Sequence, residues 1–362
     1  MKKFLLLFFC LILAYPSFGQ EEKVLYLYYW SGSISDASIQ EFEEETGIKV
    51  KKDFYDSEEV LEAKLLAGSS LYDVVMPSAT PYYGRQVQLD LYLPLDRTKL
   101  FNWKNIDPSI LQILKKIDPD NIYGVPYTWG TTGFIYKPEE LKKILPNTPL
   151  DTYKIIFDPK IIQKLSVCKV GLLDQPQDLF EAYLRYSGLT SNHKDSSQIE
   201  IFKKTLEKVR PYIKSFTSNS GKMTNDILTG EACLIQMWSG EALRAQLLAQ
   251  EMGRKISFVV PKEHAGVWCD LLCIPKKAPH PENAHKFLDF MMRPDIAAKN
   301  TESTLMATTI LSARKKLPPS LRRNSVLFPK KEILKNLKLS EVLPLKYERK
   351  LNRTWAHIKA EQ

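Results

Sequence analysis

The residues able to do chemistry are few. Asp270 interrupts an apolar run, Val267 to Ile274, where an unpaired carboxylate would be expensive, so it needs a partner or a cation. Two polar turns, Trp30-Ser31 and Pro77-Ser78, close short apolar runs. The five histidines are His193, His264, His280, His285 and His357, and none forms a recognisable nucleophile or metal motif. His280 and His285, five apart at a helix start, read as surface residues. Tyr82-Tyr83 is too little for an iron site, and helix packing is the plainer reading. An enzyme is therefore the runner-up class, behind a binding protein, and no metal or cofactor is expected.

Of the five cysteines, Cys10 lies in the N-terminal apolar run, leaving Cys168, Cys233, Cys269 and Cys273. Cys269 and Cys273, four apart in an apparent strand, would be ~13 Å apart, too far to bridge. Cys168 with Cys233 is the expected pair. A zinc site is the weaker alternative, because no CxxC or nearby histidine completes a ligand set.

The N-terminus sets the compartment. Lys2 and Lys3 precede an apolar stretch from Phe4 to Tyr15, followed by Pro16-Ser17-Phe18-Gly19-Gln20. That order reads as a cleavable export signal over residues 1–20. It is shorter than the ~20 apolar residues of a membrane span, which makes an anchor the lesser alternative. Bulky Phe8 and Phe9 before Cys10 do not resemble a lipoprotein signal. A Gram-negative periplasm is the expected location. The formal charge of +9 becomes about +7 without Lys2 and Lys3. The basic residues are dispersed apart from local pairs such as Lys315-Lys316 and Arg322-Arg323. That dispersal and export both argue against a nucleic-acid partner.

The elements that must position these residues alternate. Strands are expected at Val24 to Trp30, Lys49 to Tyr55 and Tyr72 to Met76. Between them, helices run from Ser35-Asp36 to Gly47 and from Glu58-Glu59 to Gly68. Repeated β-α-β units of this length imply a parallel sheet with helices on both faces. In such sheets ligands bind beyond the carboxyl ends of the strands, which selects Trp30-Ser31 and Pro77-Ser78. Further strands are expected at Thr131 to Tyr136, Val167 to Leu173, Ser257 to Val260 and Val267 to Ile274. Helices are expected at Pro176 to Leu189, Pro281 to Met292 and through Trp355. A mature chain of this length splits into two domains.

Several segments resemble the spermidine/putrescine-binding periplasmic proteins of ABC transporters, most of all the putrescine type. They are Trp30-Ser31, Glu44-Glu45-Thr46-Gly47-Ile48-Lys49-Val50, and Tyr55-Asp56-Ser57 with Val60 to Gly68. Tyr72-Asp73-Val74-Val75 with Pro77-Ser78, Pro126-Tyr127, Trp129 to Gly133 and Arg353-Thr354-Trp355 continue the likeness in constant order. Individually these motifs are weak; their collinearity over the mature chain is specific. The resemblance implies an α/β, two-lobed periplasmic binding protein fold of type II. Each lobe would be a mixed, mainly parallel sheet flanked by helices, with the ligand cleft between lobes. Lobe one would be 21–130 with 268–306, and lobe two 131–267 with 307–362. Hinge strands would lie near Trp129-Gly130-Thr131 and Val267-Trp268. It further implies a polyamine ligand, permease subunits of an inner-membrane transporter as partners, and a monomer. The same fold as a sensor, or binding another cation, is the alternative.

A polyamine is a methylene chain with ammonium groups that stay charged near neutral pH, so its pocket needs carboxylates and aromatic faces. By resemblance Trp30, Trp238 and Trp268 are the aromatic walls, and Asp178, Glu241 and Asp270 the acidic partners. Ser31 and Ser78 bind an ammonium through hydroxyl or carbonyl groups. Bland alternatives are core tryptophans, a helix-start charge at Asp178 and a cap at Glu241. Cys168 and Cys233 fall where putrescine-type members carry a linked pair. The chain departs from the family pattern at Gly32 and Ser33, where an acid and a tyrosine are usual. It also departs at Met306, Thr80, Gln175 and Trp268, which mix putrescine-type and spermidine-type features.

Overall fold

Residues 21–68, 71–192, 195–263, 266–335 and 337–360 are described by the computed structural model. The expected export signal at 1–20, with Cys10, lies outside them, as do His193 and His264. The strands are β1 (Val24–Trp30), β2 (Lys49–Tyr55), β3 (Val74–Val75), β4 (Gly124–Tyr136), β5 (Val170–Leu172), β6 (Ile213–Phe216), β7 (Leu234–Trp238), β8 (Ser257–Val259), β9 (Gly266–Cys273), β10 (Ala307–Thr308) and β11 (Lys338–Leu339). The helices that bear on the site are α1 (Asp36–Thr46), α2 (Glu58–Leu66), α3 (Pro176–Tyr186), α4 (Ser239–Glu251), α5 (Pro281–Met291), α6 (Pro294–Thr304) and α7 (Leu345–Ala360).

The strand order is β2-β1-β3-β9-β4-β7-β5-β6. β1 runs parallel to β2, from Val24 opposite Lys49 to Trp30 opposite Tyr55, and parallel to β3. β5 runs parallel to β6 and β7. The β-α-β expectation holds in both halves, although the expected strand Tyr72 to Met76 shortens to Val74–Val75. Gly47, at φ 70°, stops α1 and donates its N–H to the Glu43 carbonyl. The left-handed turn there suits glycine because it carries no Cβ.

β4 joins the halves. Its first part pairs antiparallel with β9, from Gly124 opposite Cys273 to Thr131 opposite Val267. From Thr132 onward it pairs instead with β7 and β8. The strand is longer than the expected Thr131 to Tyr136 and buried almost throughout. A strand buried on both faces shows no alternation to mark its start.

The later crossing differs from the division read from the sequence, which takes 307–362 to lobe two. β10 pairs with Thr128 and Trp129 of β4, and Ile310 bridges Ile106, both in the first lobe. β11 then pairs with Gly266 and Val267. From Leu343 and along α7 the chain joins the second lobe's apolar cluster, through Leu343, Tyr347, Leu351, Trp355 and Ile358. The apolar side chains Ala307, Ile310, Ala313 and Leu317 hold the intervening segment against the first core.

His285 corrects the surface reading. It is 5% exposed; its Nδ1 lies 2.7 Å from the Pro281 carbonyl and its Nε2 accepts the Asp96 N–H. The residue sits on the face of α5 that also buries Ala284 and Leu288. His280 is half-buried, with Nδ1 3.1 Å from an Asp73 oxygen. Tyr83 is buried and its hydroxyl donates to Asp118 at 2.6 Å.

Cys168 and Cys233 form a disulfide, with Cα atoms 5.4 Å apart, joining the approaches to β5 and β7. Cys269 and Cys273 are free and buried. The bridge closes a separation of 65 residues, for which restriction of the unfolded chain is worth ~2–4 kcal/mol. Replacing both partners with serine is therefore expected to lower unfolding stability by that order in a denaturant titration. An unchanged midpoint would show that the bridge does not constrain the unfolded chain.

Candidate functional site

The sheet topology gathers the polar strand ends. Trp30 ends β1, Ser78 follows β3, and Trp238 ends β7. β9 runs antiparallel to β3, so its opening residues stand at that same end, and Ser78 bridges Asp270 directly. Side chains alternate along a strand, so Trp268 and Asp270 share a face.

Asp270 is 8% exposed. Its Oδ1 accepts the Ser78 hydroxyl at 2.7 Å, and the Thr128 hydroxyl lies 3.5 Å from Oδ2. Loss of water pushes its carboxyl up to about 6, against the pull of those two hydroxyls.

Glu58 stands beside it. Its Oε1 accepts the Ser78 N–H at 2.7 Å, so Ser78 is shared between the two acids. Its Oε2 is buried without a hydrogen-bond partner among the described residues. Burial pushes this carboxyl up to about 8, and the Asp270 and Glu59 charges add to the shift. No lysine or arginine is among the groups that dominate either shift.

The sequence reading took Glu58 with Glu59 as acids at a helix start. Glu58 is instead 6% exposed. The signal was available: β2 ends at Tyr55, so the first residue of the next helix belongs to the same carboxyl-end edge.

The three indoles are each half-buried. Trp30 packs on Tyr55 with ring centroids 4.5 Å apart. Trp268 lies over Gly130, where an added Cβ would come within 2.2 Å of the ring. That approach requires glycine. The Trp268 Nε1 is buried without a partner among the described residues. Trp238 directly precedes α4, and the adjoining Ser239 hydroxyl accepts the Thr131 N–H at 3.2 Å.

Glu241, in the first turn of α4, is half-buried and its carboxyl is raised by desolvation, against the pull of Arg244. The Arg244 Nε lies 3.7 Å from it, and Nη2 donates to the Thr304 carbonyl at the end of α6. Ser31 and Glu241 line one pocket of about 430 Å³, together with Gly32, Asp36, Arg244 and Met306. The structure thus brings Ser78 to Asp270 and Ser31 to Glu241.

Asp178 stands apart from the other seven. Its charged neighbours are Glu181 and Arg185 of its own helix α3. Desolvation first, then Glu181, pushes it up to about 6, with Arg185 opposing. Among the described residues no cluster of three or more His, Cys, Asp or Glu is placed to hold a metal ion. No helix among them is long and apolar enough to cross a membrane. Asp270 and Glu58, buried with no basic group among their leading neighbours and with Trp268 on the Asp270 face of β9, form an arrangement that can hold an organic cation.

Residues 37–325 match the family described as bacterial extracellular solute-binding protein. The chain is 36% identical over 343 residues to the putrescine-binding periplasmic protein SpuD of Pseudomonas aeruginosa, covering 94% of this chain and 93% of the relative. It is 32% identical over 319 residues to the spermidine/putrescine-binding periplasmic protein of Escherichia coli, covering 88% and 86%. The solved spermidine/putrescine transporter substrate-binding protein of Streptococcus pneumoniae superposes with a TM-score of 0.79 at 27% identity, covering 93% of this chain and 99% of that one. These relatives are named as solute-binding proteins rather than as enzymes.

A carboxyl raised in the folded state favours folding fully below its unfolded value of ~4 and loses that advantage as pH rises through the folded value. For Asp270 the window therefore runs from about 4 to about 6. Without ligand, Asp270→Asn is expected to gain Tm relative to the parent as pH rises through that window, by on the order of 2 kcal/mol at its top. A parallel pair of Tm-against-pH curves would contradict the buried, unpaired charge.

Proposed function

The chain belongs to the bacterial extracellular solute-binding protein family, and from that membership we propose that it captures a polyamine, putrescine or spermidine, in the periplasm. It then delivers the amine to the permease subunits of an inner-membrane ABC transporter. The observation that carries this reading is Asp270, buried beside Trp268 with hydroxyl partners and no basic one. Burying an ammonium without a carboxylate is prohibitive, and burying the carboxylate without a cation is nearly as costly. Each relieves the other.

In this reading Trp30, Trp238 and Trp268 flank the methylenes and offer their faces to the charges. Asp270 and Ser78 hold one ammonium, Glu241 and Ser31 the other, and Asp178 adds charge from lobe two. Lobe one then comprises 21–130 and 268–306 with the segment to about 317, and lobe two 131–267 with α7. They flex where β4 passes from β9 to β7. The export signal at 1–20 places the mature protein in the periplasm, where it acts as a monomer.

The purified mature protein is expected to gain ~2.7 kcal/mol of stability at a hundredfold excess of amine over its Kd. Thermal shift and calorimetry with putrescine and spermidine measure that gain, and Asp270→Ala is expected to abolish it. Silence towards every di- and triamine would refute the reading. Retained affinity in the variant would remove Asp270 from the site.

A further inference from the structure

We propose that Glu58 supplies a second negative charge to the Asp270 end of the cleft, so that an ammonium is held by two carboxylates joined through Ser78 and a proton leaves the protein as it binds. This rests on the polyamine reading and goes beyond it. Ser78 donates its N–H to Glu58 at 2.7 Å and its hydroxyl to Asp270 at 2.7 Å. The two acids thus share one residue. The remaining Glu58 oxygen is buried and has neither donor nor acceptor against it among the described residues. Ionised, that oxygen lacks a donor; protonated, it lacks an acceptor. The free protein therefore leaves Glu58 incomplete in either state, and an ammonium, with three N–H donors, completes it.

Among the described residues, the groups that weigh most on Glu58 include no cation, and Arg85 weighs on its neighbours Glu59 and Tyr82. The titratable groups that face Glu58 are Asp270 on β9, Glu59 on α2, Tyr55 on β2, and Tyr82, Tyr92 and Cys273. Burial raises the three tyrosine hydroxyls and the thiol, which keeps them neutral. The charge that an arriving ammonium can call up near neutral pH therefore belongs to the carboxyls. With Glu58 at about 8 and Asp270 at about 6, Glu58 holds its proton at pH 7 in the free protein and Asp270 does not. The bound cation stabilises the ionised form, and the Glu58 proton passes to buffer.

Calorimetry with putrescine at pH 7, in two buffers of different ionisation enthalpy, reads that proton directly. The wild-type protein is expected to release about one proton per amine and to bind more tightly as pH rises from 6 to 8. Glu58→Gln keeps an oxygen for the Ser78 N–H but cannot ionise. It is expected to release almost none and to bind about tenfold more weakly, with little pH dependence above 7. Glu58→Asp, which keeps the charge, is expected to retain proton release, and the ligand-free Tm of each variant reports folding. If the wild type binds putrescine while Glu58→Gln matches it in affinity and proton release, Glu58 is only a structural partner of Ser78 and the inference fails. A wild-type protein that binds no di- or triamine sinks the polyamine reading and this inference together.

Discussion

A carboxylate removed from water has three ways out: a cation, enough hydrogen-bond donors, or a proton. Asp270 and Glu58 use the second only in part. Ser78 divides its two donors between them, Thr128 offers Asp270 a longer contact, and no basic side chain comes to either. Two carboxyls so close cannot both ionise cheaply, so the empty protein keeps a proton on Glu58 and a poorly compensated charge on Asp270. The rest of the site is arranged around that charge. The Ser78 and Thr128 hydroxyls hold Asp270 in place without neutralising it.

The position of this charge follows from a single topological feature. β9 enters the first lobe's sheet antiparallel between β3 and β4, so its first residues meet the carboxyl ends of the parallel strands. The bridge between Ser78 and Asp270 is that meeting expressed as two backbones side by side. β4 then carries the same edge into the second lobe, where Trp238 and α4 begin. The close approach of Trp268 to Gly130 and the Ser239–Thr131 hydrogen bond both lie at this passage.

The far end of the cleft differs in character. Glu241 is already approached by Arg244, which is also tied to the end of α6 through Thr304. The Glu241 carboxyl thus has a cation beside it, whereas no cation is among the groups that weigh most on Asp270. Gly32 and Met306 line this pocket and bring it no charge. The negative charge is weighted towards Asp270 and Glu58 accordingly.

Much of this was legible in the sequence, because local rules act over short distances. Strand lengths, the glycine stop after α1, the carboxyl-end turns at Trp30-Ser31 and Ser78, and the cost of Asp270 in an apolar strand all follow from neighbouring residues. So did the Cys168–Cys233 expectation, once the family likeness was added. Glu58 was legible only in its place at the carboxyl-end edge, not in its burial: a glutamate opening a helix looks solvent-facing until Ser78 and Asp270, 20 and 212 positions away, are packed against it. Its charge state depends on burial, which no local pattern encodes. The same holds for His285, whose helix face turns inward, and for the segment after 307, which stays with the first lobe through contacts to Thr128, Trp129 and Ile106. The chain's order determined which groups were available at the carboxyl ends of the strands; long-range packing decided which of them lost water, and so which carboxyls are raised.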